Sequence, residues 1–289
     1  MAEYIIMTDS CCDMTAQMAD ELNLAVVPLS VDIDGGLYRN YLDGREITCE
    51  RIYSMLRSGK MGKTSAANVE DFESAMLPAL EAGKDVLYLG FSTGLSGTYN
   101  AARLAAEGLA EKYPGRKILT VDTLCASLGQ GMLVYLAAQK KAAGASIEEV
   151  RDYVEENKLN LCHWFTVDDL NFLRRGGRIS SVTAIAGTML QIKPIMHVDD
   201  AGKLIPVSKV RGRKAAIREL ANRMKETMLD GNETIFISHG DCLADAEQLA
   251  AIVRETCGDR KVEINFVGPV IGAHSGPGTL ALFFLGSKR

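Results

Sequence analysis

Apolar residues along this chain fall in short runs separated by stretches of helical spacing. Residues 4–7, 25–33, 86–89 and 118–121 read as strands. Between them, helical spacing runs through Met14, Met18, Leu22 and Leu24, then over 48–58, about 69–82, an Ala-rich stretch after the turn at 90–98, and 127–144. Asp13 and Thr48 stand where N-caps belong, and Ser146-Ile-Glu-Glu149 spells a capping box for a helix reaching about residue 158. Asp34-Gly35-Gly36 marks a hairpin turn between residues 31 and 38. Strands alternating with helices over short connections predict a mostly parallel sheet with helices on both faces, an α/β domain over residues 1–160.

Residues 161–289 have a different grain. Strand 161–167, a short helix at 168–173, the basic glycine loop Arg174-Arg-Gly-Gly-Arg178 and an Ala/Thr-rich helix over 180–190 come first. Strands 193–198 and 203–210 flank an Asp199-Asp-Ala-Gly202 turn, and helix, strand, helix, strand follow at 215–229, 234–238, 244–257 and 263–267. An apolar terminal element at 279–285 comes after the glycine-rich loop 272–278, in which His274 lies. This predicts an α+β domain with a mixed sheet.

Composition narrows the class. With 289 residues, 47% hydrophobic and 24% charged, the chain can bury a substantial core. Its net charge of −5 argues against nucleic acid as a partner. Seven cysteines, odd in number and without a C-x-x-C pair, fit reduced thiols in a cytoplasm rather than disulfides or a metal site. No apolar run approaches 18 residues, so stable membrane insertion is not expected. His163, His197 and His239 lack metal-ligand spacing and read as structural.

The candidate chemistry centres on residues 85–106, where a strand breaks into a Gly/Ser/Thr turn and a helix follows. Helix N-terminal N–H groups with hydroxyls beside them form a seat for an anion. Gly90-Phe-Ser-Thr-Gly94 is a G-x-S-x-G, so Ser92 or Ser96 with His274 defines a serine-hydrolase alternative. Ordinary turn chemistry accounts for the same glycines and serines, and no lysine follows them as a phosphate loop requires. Lys63-Thr-Ser65 is a second hydroxyl cluster, whose plainer reading is an N-cap for the next helix. Arg174, Arg175 and Arg178, with Arg211, Arg213, Lys214 and Arg218, form a solvated face or a dock for an acidic or phosphate-bearing partner.

Together these segments resemble the DegV family across essentially the whole chain. The resemblance is carried by Thr8-Asp-Ser10 with Asp13, Pro28-Leu-Ser30, Lys63-Thr-Ser65, Ser92-Thr-Gly-Leu-Ser-Gly-Thr-Tyr99, Val121-Asp-Thr123, Gly176-Gly-Arg-Ile-Ser180, Lys193-Pro-Ile195 and Pro269-Val-Ile-Gly-Ala-His274. It implies a two-domain protein that binds one long-chain fatty acid between its domains. In a bacterial fatty acid kinase system such a protein presents the carboxyl group to a separate ATP-dependent kinase. Carboxylate contacts then fall on Thr64, Ser96 and His274, with Ser65 and Gly97 adjacent, and kinase docking on Arg211 and Arg178. No catalytic residue, cofactor or metal is implied. The family's usual Thr-Ser-Gln-Pro is here Thr64-Ser-Ala-Ala67.

A fatty acid suits such residues. Its tail gains about 0.8 kcal/mol per buried methylene, roughly 10 kcal/mol gross for a long chain, while its carboxylate must be hydrogen-bonded to be buried at all. Neutral donors fix the head group and leave an oxygen nucleophilic, which a bidentate arginine clamp would not.

Overall fold

A computed structural model describes residues 3–180 and 191–289. The Ala/Thr-rich helix expected over 180–190 lies, from 181 on, outside the described residues. Among the described residues, thirteen strands form three sheets.

The first sheet has the order β2-β1-β6-β7 and is parallel throughout, from β1 (Tyr4–Asp9), β2 (Leu24–Val27), β6 (Asp85–Gly90) and β7 (Ile118–Asp122). Alternation along β6 assigns its two faces. Val86 and Tyr88 pack with α3 (Val69–Glu81) and α4 (Thr98–Lys112), whereas Leu87 and Leu89 pack with α5 (Leu128–Ala142) and α6 (Ile147–Asn157). Both faces are therefore covered, and the strand reads as a continuous apolar run rather than an alternating one.

The six-stranded sheet has the order β10-β9-β8-β13-β11-β12, built from β8 (Leu161–Thr166), β9 (Ile192–Val198), β10 (Leu204–Arg211), β11 (Thr234–His239), β12 (Lys261–Phe266) and β13 (Leu280–Leu285). Its pairings are antiparallel except β11–β12. Trp164, Ile237, Leu282 and Phe284 face α8 (Arg213–Thr227) and α9 (Leu243–Cys257). Phe165, Phe236 and Phe283 face the other way, onto α5.

Helix α5 is thus the layer shared by both sheets, touching β1 and β6 on one side and β8, β11 and β13 on the other. A helix buried all round has little amphipathicity to show, and this explains its plain apolar sequence. Two glycines allow the close fit. A Cβ on Gly129 would stand 2.2 Å from His163 Nε2, and one on Gly131 would stand 2.6 Å from the Cys12 carbonyl oxygen. The change from one sheet to the other falls just beyond α6, near the expected boundary at residue 160, but the core around α5 draws on both sides of it.

A small antiparallel sheet, β4-β3-β5, joins β3 (Ser30–Ile33), β4 (Gly36–Arg39) and β5 (Gly62–Ser65). With α2 (Cys49–Arg57) it packs on α10 (Pro269–Ser275), so this early segment leans on the far end of the chain.

Four expectations change. The cap of α3 is Asn68, whose side chain accepts the Asp71 N–H at 2.9 Å, and not the Lys63-Thr-Ser65 cluster. The strand read over 25–33 is two strands in different sheets, because Pro28 has no N–H to continue a ladder. The cap of α1 (Ala16–Glu21) is Thr15, whose hydroxyl accepts the Met18 N–H at 3.1 Å. Asp13 instead has φ 50° and ends a short 3₁₀ turn. His274 lies within α10 and not in a loop, because Pro269 starts a helix that ends at Gly276, where φ is 80°.

Two helical glycines separate propensity from packing. Gly108→Ala on α4 meets only Glu73 Oε1 at 3.7 Å, so the usual helix gain of about 0.5–1 kcal/mol raises the urea midpoint. Gly129→Ala carries the same gain but strikes His163 and Phe283, and overpacking of about 1–3 kcal/mol lowers the midpoint.

Candidate functional site

The order β2-β1-β6-β7 reverses direction between β1 and β6. Connections leave those two strand ends in opposite senses, and this opens a crevice at their carboxyl ends, where open α/β sheets bind ligands. The 90–98 turn stands at that point.

A buried carboxylate fixes the turn. Asp9, ending β1, accepts from Tyr88 Oη at 2.7 Å, the Phe91 N–H at 3.0 Å, the Cys11 N–H at 3.0 Å and Gln130 Nε2 at 3.1 Å. Burial pushes its carboxyl above the usual range, against the pull of these bonds. Beyond Phe91 the turn touches the other half of the chain. Ser92 Oγ donates to the Gly202 carbonyl at 2.8 Å and accepts the Gly94 N–H at 3.1 Å. This contact requires glycine on both sides: a Cβ on Gly94 would meet the Ala201 and Gly202 carbonyls at 2.6 Å, and one on Gly202 would meet Ser92 Oγ at 2.1 Å. Ser92 is a fully buried tie between the turn and the β9–β10 hairpin, and it does not line the cavity described below.

Ser96 and Gly97 do line it, at the start of α4. Gly97 is the N-cap residue and offers no side-chain cap, so Ser96 Oγ takes the Thr98 N–H at 3.2 Å and lies 2.9 Å from Thr98 Oγ1. From the small sheet, Thr64 on β5 reaches His274 on α10, with Thr64 Oγ1 2.7 Å from His274 Nε2. The other face of β5 carries Ser65, which is exposed and outside the lining, as the two-residue period of a strand dictates. Thr64, Ser96, Gly97 and His274 are thus brought together, and Ser65 is not.

Arg178, expected from the resemblance as a kinase-docking residue, lines the cavity. It is half-buried, shares that lining with His274, and donates to the Gly176 carbonyl. Gly176 lies against His274 so closely that a Cβ there would stand 2.2 Å from Nδ1. This end of the cavity therefore holds a cation beside its neutral donors. The signal for it was in the Gly176-Gly177-Arg178 run, where glycine marks close approach. Arg211, by contrast, is exposed at the end of β10 and away from the lining.

The whole cavity measures about 240 Å³. Its walls are mainly apolar, with Leu29, Phe91, Leu95, Phe165, Val270 and Ile271 among them. His163 also faces it, though its ring bonds are to backbone: Nδ1 to the Leu161 carbonyl at 3.1 Å and Nε2 from the Ala126 N–H at 3.3 Å. Ser127, Ser238 and Ser275 line it too, and no spacing in the sequence singled them out. No group of acids, histidines and cysteines suited to a metal occurs among the described residues.

Comparison with known proteins places this geometry. A family model described as "Uncharacterised protein, DegV family" matches residues 4–287. A DegV domain-containing protein of Clostridium perfringens is 46% identical over 290 residues, spanning 100% of this chain and 99% of its own. The chain belongs to the DegV family. Among solved structures, a DegV lipid-binding protein from Thermotoga maritima shares this DegV fold with a TM-score of 0.87 at 30% identity, covering 99% of each chain. A DegV family protein from Thermus thermophilus, described by its fatty acid binding, matches with a TM-score of 0.85 at 32% identity over 97% of this chain and 98% of its own.

In this DegV protein His274 is neutral at ordinary pH. Burial first, and then the Arg178 charge, lower its pKa from 6.5 to about 4. Below pH 6.5 the unfolded chain gains a proton that the folded imidazole refuses until about pH 4. Stability from this group is therefore complete above pH 6.5 and falls as the pH drops toward 4. Imidazole NMR is expected to show His274 not titrating from about pH 5.5 to 8, a window in which an ordinary histidine titrates. Arg178→Ala is expected to move its midpoint upward.

Proposed function

We propose that this protein is a cytoplasmic carrier that binds one long-chain fatty acid in the cavity and presents its carboxyl group to a separate ATP-dependent kinase for acyl phosphate formation. The observation that carries the reading is the Thr64–His274 hydrogen bond at one pole of a mainly apolar cavity. In the tautomer that carries its proton on Nε2, His274 donates to Thr64 Oγ1, and the threonine hydroxyl is then free to donate to a carboxylate oxygen. Ser96 offers a second hydroxyl, and the first turn of α4 offers N–H groups. Arg178 supplies the compensating charge that a buried carboxylate needs.

The relatives support the ligand class, since the Thermus thermophilus protein is described by fatty acid binding and the Thermotoga maritima protein as lipid-binding. The kinase step rests on resemblance, with the exposed Arg211 as the docking residue. Seven free cysteines suit a reducing compartment, and among the described residues no helix is long and apolar enough to cross a membrane. The serine-hydrolase alternative finds no support. Ser92 commits its proton to a backbone carbonyl, and the partner of His274 is Thr64.

Extraction and mass spectrometry of the purified protein are expected to release a stoichiometric long-chain fatty acid. Delipidated protein that takes up none overturns the reading. Thr64→Val, Ser96→Ala and His274→Ala each weaken fatty-acid affinity by about tenfold, the loss of one hydrogen bond to a charged group. Arg211→Ala leaves that affinity unchanged and lowers acyl phosphate yield when a partner kinase is supplied. Impaired binding in that variant would instead make Arg211 a pocket residue.

A further inference from the structure

An unsubstituted acyl tail offers no polar atom, yet the cavity behind the head-group pole carries several. Most are satisfied by the protein. Ser127 Oγ donates to Asp13 Oδ2 at 2.6 Å and lies 3.1 Å from Ser238 Oγ. Thr279 Oγ1 bonds the Ser275 carbonyl at 3.0 Å and the Gly276 carbonyl at 2.8 Å. The Ser275 hydroxyl differs from these. Its residue is 4% exposed, it lines the cavity, and its Oγ has no hydrogen-bond partner among the described residues.

A buried hydroxyl left unpaired costs about 1–3 kcal/mol, and methylene groups laid against it return none of that. Serine is also the residue next to His274 on α10, and successive Cα atoms are about 3.8 Å apart. The unmet hydroxyl therefore belongs to the part of the cavity that takes the carboxyl-proximal half of a bound chain. Ser238 Oγ, which has lone pairs to spare, lines the same cavity.

We propose that the cavity selects acyl chains oxygenated in their carboxyl-proximal half: hydroxy fatty acids whose chain hydroxyl pairs with Ser275 Oγ. The proposal rests on the fatty-acid reading above and adds to it a specificity residue that does not touch the carboxylate. A ligand hydroxyl both donates and accepts, so it completes Ser275 whichever way that rotor points.

The test is displacement of a fluorescent fatty acid from delipidated protein by hexadecanoic acid and by its 3-hydroxy, 6-hydroxy and 16-hydroxy derivatives. One of the two internal isomers is expected to bind about tenfold tighter than the parent acid, and the terminal isomer no tighter. In Ser275→Ala that ratio falls to about one, while affinity for the parent acid stays within about twofold. The proposal is overturned if no internal isomer exceeds the parent, or if the preference survives in Ser275→Ala. It is equally overturned if Ser275→Ala weakens all four ligands alike, since Ser275 would then be a carboxylate donor. Failure of hexadecanoic acid itself to bind is a different result, and it removes the fatty-acid reading underneath.

Discussion

The Asp9 carboxylate is the point on which the site depends. It is fully buried, and four donors converge on it from β6, the turn beyond β6, its own strand end and α5. An ionised group so placed costs several kcal/mol to desolvate, and that cost is offset only while every donor stays in position. The bonds to Tyr88 and Phe91 hold the 90–98 turn at the end of β6. The bond from Gln130 fixes α5 against the same strand ends. Because the parallel sheet reverses its winding between β1 and β6, the group that locks those two strands together also shapes the mouth of the crevice.

Glycine close approaches then set how far the two sheets close over the crevice. Gly94 and Gly202 let the turn and the β9–β10 hairpin share the Ser92 hydroxyl, Gly129 lets α5 settle against His163, and Gly176 lets the loop ahead of Arg178 lie on His274. Each brings backbone nearer to a neighbour than a Cβ permits. The cavity is the space that remains once these contacts are made. Its position follows from where close contact is impossible as much as from any residue that lines it.

This logic explains what the sequence disclosed. The parallel sheet was legible because β6 is apolar on both faces, and the helices were legible because Thr48 and the Ser146–Glu149 box cap them where expected. That Thr64, Ser96 and His274 line one cavity was legible only by resemblance, since they come from three distant segments and no local period links them. Ser65 lies off the cavity because adjacency in sequence is opposition on a strand. His274 reads as a loop residue because three glycines surround it, although Pro269 starts a helix ahead of it. Ser275 left no trace at all. A single serine is polar punctuation in a sequence and becomes an unmet hydroxyl only when the chain buries it.

Charge at the Thr64–His274 end of the cavity sets how an anion can be held there. Residue types alone suggested neutral donors, which would leave a bound carboxylate nucleophilic. Burial does keep His274 neutral, but Arg178 stands beside it and contributes to that neutrality by disfavouring a second cation. One guanidinium is therefore available to one carboxylate, and Arg178 already spends a donor on the Gly176 carbonyl. A guanidinium tied to backbone in this way compensates charge from a fixed position and does not have to close a two-pronged clamp. In the proposed complex Thr64 and Ser96 supply the directional bonds, and the carboxylate is held both buried and reactive. The proposed role, holding a cargo for another protein to act on, requires both.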